Sequence, residues 1–242
     1  VSGGLDSLEI DTKLANSNDL IDWRLNNFRI DALRAGAVEF TNAIVSGQSV
    51  GDAVEVQLSS DQIDATFVRK FDDPWKVDVD EIRIANFNPV GNAGTSDPLS
   101  FDISGKIVPA DITVRSVLVT DIDGSINDFG RWRFRLRPHP DGLRVHGLEG
   151  AIRGIEISSD QEMFWARSTN RTHFVGSIQG VALGSVLSQW GFDLSIEGES
   201  FSGDGDLTWP GSPLAFAIKD IEGSFVSEVK NGRFVDIDPG GG

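Results

Sequence analysis

Carboxylate clusters come closest, in this sequence, to a reactive or metal-binding pattern. Paired carboxylates bind calcium, or act as acid and base in glycoside hydrolysis. No cluster continues into the bidentate Glu of a calcium loop, and Asp at alternate positions is also typical of the solvent face of a strand. We therefore predict no metal site, while a carboxylate pair for carbohydrate chemistry stays open, because its separation depends on the fold. The clusters are Asp78 with Asp80 and Glu81, Asp121 with Asp123, and Asp204 with Asp206.

Other reactive side chains do not form a recognisable constellation. His139, His146 and His173 are scattered and have no metal-ligand neighbour at i+2 or i+4. The sequence has no cysteine, so it forms neither a disulfide nor a thiolate site. It also lacks a nucleophile elbow, a P-loop and a dinucleotide-binding fingerprint. We predict no catalytic residue and no cofactor.

The charge balance excludes one class of partner. The 242 residues carry 37 acidic and 21 basic side chains, for a net charge of −16. Because nucleic-acid binding requires a positive footprint, we expect no nucleic acid as a partner. The sequence shows no apolar run of the ~20 residues that a membrane span needs, and no signal peptide. We expect it to be an internal piece of a longer chain.

Alternation of apolar and polar residues predicts β-strands along most of the sequence. The clearest example is RWRFRLR, in which Arg131, Arg133, Arg135 and Arg137 occupy one face and apolar residues the other. Its turn, PHPDG, predicts pairing with residues 142–148. Asn231 and Gly232 predict a second hairpin, between 224–229 and 233–238. Further strands are predicted at 53–58, 63–70, 76–84, 100–107 and 111–119.

One segment has helical spacing instead. Within VALGSVLSQWG (181–191), Leu183, Val186, Leu187 and Trp190 recur at helical intervals before Gly191. We predict one short helix near 179–191, capping an end of a sheet.

These elements predict an all-β fold built on an extended, curled antiparallel β-sheet. Composition alone leaves a sandwich, a barrel and an open trough as alternatives. About a dozen strands at ~4.8 Å would run ~55–60 Å, which favours a trough. We interpret residues 1–242 as one continuous unit, with a possible sub-domain seam at 88–98. The chain has 15 Phe, six Trp and no Tyr, a composition that suits an apolar lining better than a saccharide site.

The second half resembles the C-terminal region of the AsmA-like family of Gram-negative bacteria, which is similar to the bridge-like lipid-transfer proteins. The resemblance rests on residues 130–158, on SQWGF (188–192) and on 203–240, with LTWPGSP and NGRF as its most specific segments. It covers about 97–240, whereas over 1–90 only the strand pattern agrees.

The resemblance implies a taco-like hydrophobic groove that shields phospholipid acyl chains between the inner and outer membranes and so maintains the outer-membrane barrier. It implies a periplasmic portion of an inner-membrane-anchored protein, with membranes contacted by regions outside this piece and no enzymatic activity. Lipid species, direction, energy source and oligomeric state stay open. The residues expected to line the groove are Trp132, Phe134, Leu136, Val145, Ile155, Ile157, Trp165, Phe174, Leu207, Trp209, Phe216, Phe225 and Phe234.

Two alternatives from other classes remain at this stage. One is a non-transporting β-sandwich that serves as a binding or scaffold module, with its aromatic residues in a sealed core. The other is a carbohydrate-active enzyme that uses a carboxylate pair.

Overall fold

One sixteen-stranded, curled β-sheet makes up most of the protein. The computed structural model describes residues 3–11, 22–35, 38–85, 108–120, 124–159, 161–190, 196–213 and 220–234. The strands are β1 (Gly3–Asp11), β2 (Asp22–Ala35), β3 (Val38–Val50), β4 (Ala53–Ser59), β5 (Ile63–Lys70), β6 (Trp75–Ala85), β7 (Ala110–Val114), β8 (Val117–Thr120), β9 (Ile126–Asp128), β10 (Arg131–His139), β11 (Gly142–Ile152), β12 (Ile155–Ser159), β13 (Met163–Ala166), β14 (Arg171–Val181), β15 (Ile196–Glu197), β16 (Ser200–Pro210), β17 (Glu222–Lys230) and β18 (Arg233–Phe234), with one helix, α1 (Leu183–Gln189).

The all-β prediction is confirmed, with one exception to antiparallel pairing. The main path of the sheet runs β1-β2-β3-β4-β5-β6-β7-β10-β11-β12-β14-β16-β17. Along it β6 pairs with β7 in parallel, and β8 also joins β6 in parallel. Parallel neighbours need a connection of about a dozen residues or more, and residues 86–109 separate β6 from β7. The possible seam at 88–98 and the predicted strand at 100–107 fall outside the described residues.

Several predicted strands are confirmed, and one is divided. Strand β5 has the predicted bounds, and β10 pairs with β11 as the PHPDG turn indicated. The single strand predicted at 111–119 is wrong, because β7 ends at Val114 and β8 begins at Val117. Strand β6 explains the division: Asp80 is an extra residue in its pairing with β5, and β7 and β8 pair with β6 on either side of that bulge.

The hairpin predicted at Asn231–Gly232 is also wrong, because the strands on its two sides do not pair with each other. Strand β17 ends there, but β18 pairs with β15 and not with β17. Polar contacts hold β18 in that position. The Asn231 side chain donates to the carboxylate of Glu199 at 2.6 Å, and Arg233 forms a 2.6 Å ion pair with Glu197.

Helix α1 lies inside the range predicted near 179–191 and packs against the turn between β11 and β12. The guanidinium of Arg153, in that turn, lies 5.3 Å from the ring centre of Trp190 and 4.7 Å from that of Phe129. It also donates to the carbonyl of Gln189 at 3.3 Å. Cation–π contacts of this kind contribute roughly 0.5–1 kcal/mol at exposed sites, so the turn and the helix stabilise each other.

The glycine at the start of β10 allows a first test of the fold. Gly130 has φ +70°, and a Cβ there would collide with the backbone carbonyl of Ala151; Gly51 has a similar φ of +61° with open space around it. We expect Gly51→Ala to cost only the left-handed backbone penalty of about 1–2 kcal/mol. Gly130→Ala should cost at least ~3 kcal/mol, because the β10–β11 ladder must also shift. Urea unfolding midpoints measure both, and equal midpoints would contradict this packing.

A second test concerns the loop that follows β10. The carboxylate of Asp141 accepts hydrogen bonds from the hydroxyl of Ser168 at 2.6 Å and from its backbone N–H at 3.0 Å. These bonds hold the pKa of Asp141 below its ordinary value. The stabilisation is therefore present above the unfolded-state pKa and is lost as the pH falls through the lower folded-state value. We expect Ser168→Ala to raise the pKa of Asp141, as followed by NMR titration of its carboxyl carbon; an unmoved titration would refute the assignment.

Candidate functional site

An unbroken row of apolar residues and glycine crosses eleven consecutive strands of the sheet path. Its members are register partners, so their side chains project from the same face. We call this set the apolar row: Phe28, Val45, Leu58, Ala65, Val79, Val114, Trp132, Gly150, Ile157, Ile178 and Gly203. Since adjacent strands lie about 4.8 Å apart, a row of this kind extends about 48 Å along the sheet.

The opposite face carries a matching set of polar residues. We call it the polar row: Ser46, Gln57, Thr66, Asp78, Thr113, Arg133, Glu149, Ser158, Ser177 and Asp204. The two rows are one residue apart along most strands, which is the period-two pattern of the sequence expressed across ten strands. The sheet therefore has one apolar face and one hydrophilic face.

Several members of the apolar row remain partly accessible. Ala65, Val79 and Val114 are buried and form the centre of one core cluster, which Phe67, Val77 and Ile112 join. Phe28, Leu58, Trp132, Ile157 and Ile178 are half-buried. Among the described residues, the second sheet has only two strands, β15 and β18, and the apolar face of the large sheet is not packed against another sheet of comparable size.

Eleven of the thirteen residues predicted to line the groove lie on this apolar face. They are row members, lie an even number of residues from a row member on the same strand, or pair in register with such a position. They are Trp132, Phe134, Leu136, Val145, Ile155, Ile157, Trp165, Phe174, Leu207, Trp209 and Phe225.

Of the other two predicted lining residues, one is described by the structure, and it does not lie on this face. Phe234 is on β18, in the two-stranded sheet, and its side chain is exposed. Phe216 lies outside the described residues.

Tightly packed tryptophans form one rim of the apolar face, where strands β11, β13, β14 and β16 end or begin. Trp165 and Trp209 are each 4% exposed, and each pairs in register with Thr172, which is fully buried. The Thr172 hydroxyl donates to the carbonyl of Gly211 at 2.8 Å, and the Trp209 indole N–H donates to the carbonyl of Ser212 at 3.1 Å. Residues 211 and 212, which follow β16, are therefore held at this rim.

Helix α1 lies at the opposite rim. Val186 on α1 packs close to Gly154, in the turn that follows Ile152 of the apolar face. Between β11 and β16, the apolar face thus lies between a tryptophan rim and a helix rim.

A cavity of about 540 Å³ is lined by residues of both rows, with Trp132 and Gly150 among those of the apolar row. Arg131, Arg133, Glu149, Glu156 and Gln179 are among the residues that line it. Arg133 donates to both oxygens of Glu149 at 2.8–2.9 Å, and Gln179 donates to Glu156 at 2.8 Å. Both carboxylates are thus engaged by neighbours, in an arrangement typical of a solvated strand face.

The acidic clusters also take part in ion pairs of the hydrophilic face, and one of their carboxylates contacts a histidine. Arg115 pairs with Asp78 and Asp80, Arg83 pairs with Glu81, and His173 lies 2.8 Å from Asp206. Within the described ranges, no group of three His, Asp or Glu side chains could hold a metal ion. Asp121 and Asp123 fall outside those ranges. Arg137 pairs with Asp111, so two of the four arginines of RWRFRLR are balanced by carboxylates on neighbouring strands.

Sequence reasoning missed the part of the apolar row that lies on β2 to β7. Phe28, Val45, Leu58 and Val79 were not predicted as lining residues, although the alternation at 53–58, 63–70 and 76–84 contained the signal. Gly150 and Gly203 were missed for another reason, because a glycine contributes nothing to an apolar count.

Comparison with known proteins decides the family. The model of the YhdP protein family matches residues 9–242. The chain belongs to the YhdP family. This AsmA-like family is one of lipid transport in the bacterial envelope. No curated protein and no solved structure matches the chain.

The YhdP match extends well beyond the resemblance at 97–240. It includes the strands from β2 to β6, which supply five of the eleven members of the apolar row. A location at the C-terminal end of a YhdP-family protein stays a prediction. In the described parts of the chain, no helix is long and apolar enough to cross a membrane.

Two aromatic residues of the apolar face differ widely in the exposed fraction of their side chains, and this difference leads to a prediction. Trp209 is 4% exposed, whereas Phe225, on the edge strand β17, is 51% exposed. We expect Trp209→Ala to lower the free energy of unfolding by about 3–5 kcal/mol, because it leaves a cavity. Phe225→Ala should cost less than about 1 kcal/mol. Guanidinium unfolding of both variants tests this, and a large loss at Phe225 would show that β17 is covered.

Proposed function

We propose that this chain is part of a periplasm-crossing protein that shields phospholipid acyl chains in its apolar groove during transport from the inner to the outer membrane. The observation that carries the proposal is the apolar row, which continues across eleven strands without a polar side chain. By this route the protein maintains the outer-membrane barrier. Its anchor in the inner membrane, and its contacts with both membranes, belong to regions outside residues 1–242.

The energetics of lipid transfer give the reason for such a surface. A 16-carbon acyl chain in water exposes ~15 methylenes at ~0.8 kcal/mol each, about 12 kcal/mol in total. A phospholipid with two chains doubles that cost. A continuous apolar lining removes most of it, while the headgroup stays in water at the open side of the groove.

The charges of the chain support the same orientation. Ion pairs such as Arg133–Glu149 and Arg115–Asp80 lie on the hydrophilic face, and the net charge of −16 keeps that face hydrated. The apolar row offers no charged anchor for a headgroup. A lipid held only by its acyl chains can move along the row, whereas a deep local binding site would trap it.

The two alternatives have less support. A sealed β-sandwich requires a second sheet over the apolar face, and the other sheet in the described chain has two strands. A carbohydrate-active enzyme requires two carboxylates free to act on a substrate. Those at the 540 Å³ cavity, Glu149 and Glu156, are engaged by Arg133 and Gln179.

A photocrosslinking experiment tests the proposal. We expect a diazirine-labelled phospholipid to crosslink to the wild-type protein, and Phe134→Asp to abolish that crosslinking while leaving the β-sheet content unchanged. Phe134 pairs with Ile112 on the apolar face, and a buried charge there is costly for an acyl chain. The control is Thr113→Asp, which introduces the same charge on the hydrophilic face, one residue along β7.

A second variant guards against misfolding of the first. Phe225→Asp changes a half-exposed residue of the edge strand, and it should weaken crosslinking with little effect on stability. Mass spectrometry of gently purified protein should also find co-purified phospholipid. Wild-type protein that neither crosslinks nor carries lipid would refute the proposed function. Loss of crosslinking in Thr113→Asp to the same degree as in Phe134→Asp would refute the location of the site.

A further inference from the structure

Five glycines on the apolar face each lie beneath an aromatic ring. In each case, a Cβ placed on the glycine would meet ring atoms of a neighbouring residue at or below normal contact distance. A Cβ on Gly150, for example, would lie 2.5 Å from Cζ3 of Trp132. The pairs, glycine first, are Gly47 with Trp23, Gly150 with Trp132, Gly176 with Phe174, Gly180 with Phe201, and Gly203 with Phe225.

The backbone torsion angles do not require glycine at these positions, although a Cβ on Gly176 or Gly180 would also lie 2.5–2.6 Å from a backbone carbonyl oxygen. Glycine is obligatory where φ is positive, as at Gly130 or Gly154. None of the five glycines beneath rings has a positive φ, so any L-residue could adopt their backbone conformation. At Gly150 and Gly203, the three nearest atoms to an added Cβ all belong to the ring. The space that these two glycines leave empty is therefore used by the ring alone.

The ring over Gly150 is also fixed in place. The indole N–H of Trp132 donates to the carbonyl of Phe129 at 2.9 Å. Trp132 and Gly150 are direct register partners in the apolar row, and the ring folds across the neighbouring strand. A strand side chain ordinarily stands roughly perpendicular to the sheet. A ring folded onto a glycine instead occupies about one layer of atoms above the sheet, about 3.5–4 Å.

We propose that these glycine–aromatic pairs set the depth of the groove and so determine the cross-section of acyl chain that it accepts. This inference rests on the proposed function. Glycine gives the ring room to lie down, and the lowered ring leaves room above it for a bulky chain. The occupant this favours is a hydrocarbon of variable cross-section, including methyl-branched chains. A groove lined by upright rings would admit only narrow straight chains at the same positions.

Substitution of a single glycine tests the inference. Gly150→Ala adds one methyl group that forces the Trp132 ring away from the sheet. The probes are palmitic acid, with a straight chain, and phytanic acid, with methyl branches, each displacing a fluorescent fatty acid from the protein. We expect wild-type protein to bind both with similar affinity. Gly150→Ala should bind phytanic acid about tenfold more weakly and palmitic acid little changed.

Three further variants control the result. Gly203→Ala repeats the test on β16, next to the edge strand β17, where the half-exposed Phe225 ring can move without loss of the fold. Ser202→Thr adds one methyl group to the adjacent residue, which is exposed on the opposite face, and should leave both affinities unchanged. The double variant Gly150→Ala/Trp132→Leu removes the raised ring and should restore phytanic acid binding.

The outcomes separate this inference from the proposed function. Wild-type protein that binds neither fatty acid would overturn both. Wild-type binding with no change in either glycine variant would overturn the inference and leave the groove standing. An equal loss of both probes, or a double variant that is not restored, would also overturn it, because the ring would then not set the depth. Selective loss of phytanic acid in both glycine variants supports it.

Discussion

Strand register keeps side chains of opposite character on opposite faces of one sheet, and every other property of this protein depends on that separation. A slip of one residue between two neighbouring strands would place polar-row residues of one strand opposite apolar-row residues of the next. Cross-strand ion pairs such as Arg133–Glu149 and Arg137–Asp111 contribute only ~0–1 kcal/mol each. Their greater effect is on register, because a slip would separate these opposite charges and place unlike faces together.

Bulges allow the sheet to curl without mixing its two faces. Strand β2 carries an extra residue near Asn27, β6 carries one at Asp80, and β11 carries one near Gly147. Asn27 and Gly147 have positive φ, as bulge residues often do. After each extra residue, the side chains that point to the apolar face are displaced by one position along the strand. On β11 the inward residues are Leu143 and Val145 before the bulge, and Leu148, Gly150 and Ile152 after it.

This shift explains how much of the fold could be read from the sequence. Alternation is a local property, so it predicted β5 and the β10–β11 hairpin, and helical spacing predicted α1. It placed Val145 on the lining but not Leu148, because the two differ by an odd number of residues. The parallel pairing of β6 with β7 and the contact of β18 with β15 depend on residues far apart in sequence, as do the glycine–aromatic pairs other than Gly176 with Phe174. No local pattern contains them.

The uniformity of the apolar row has a consequence for the proposed transport. An acyl chain that advances by one strand spacing, about 4.8 Å, exchanges one set of aliphatic and aromatic contacts for another of the same kind. Its free energy therefore changes little along the row, and no step holds the lipid in place. Such a lining lowers the barrier to movement equally in both directions. On this view the middle of the sheet supplies a path, and the direction of flow has to come from what the lipid leaves and what it enters at the two ends.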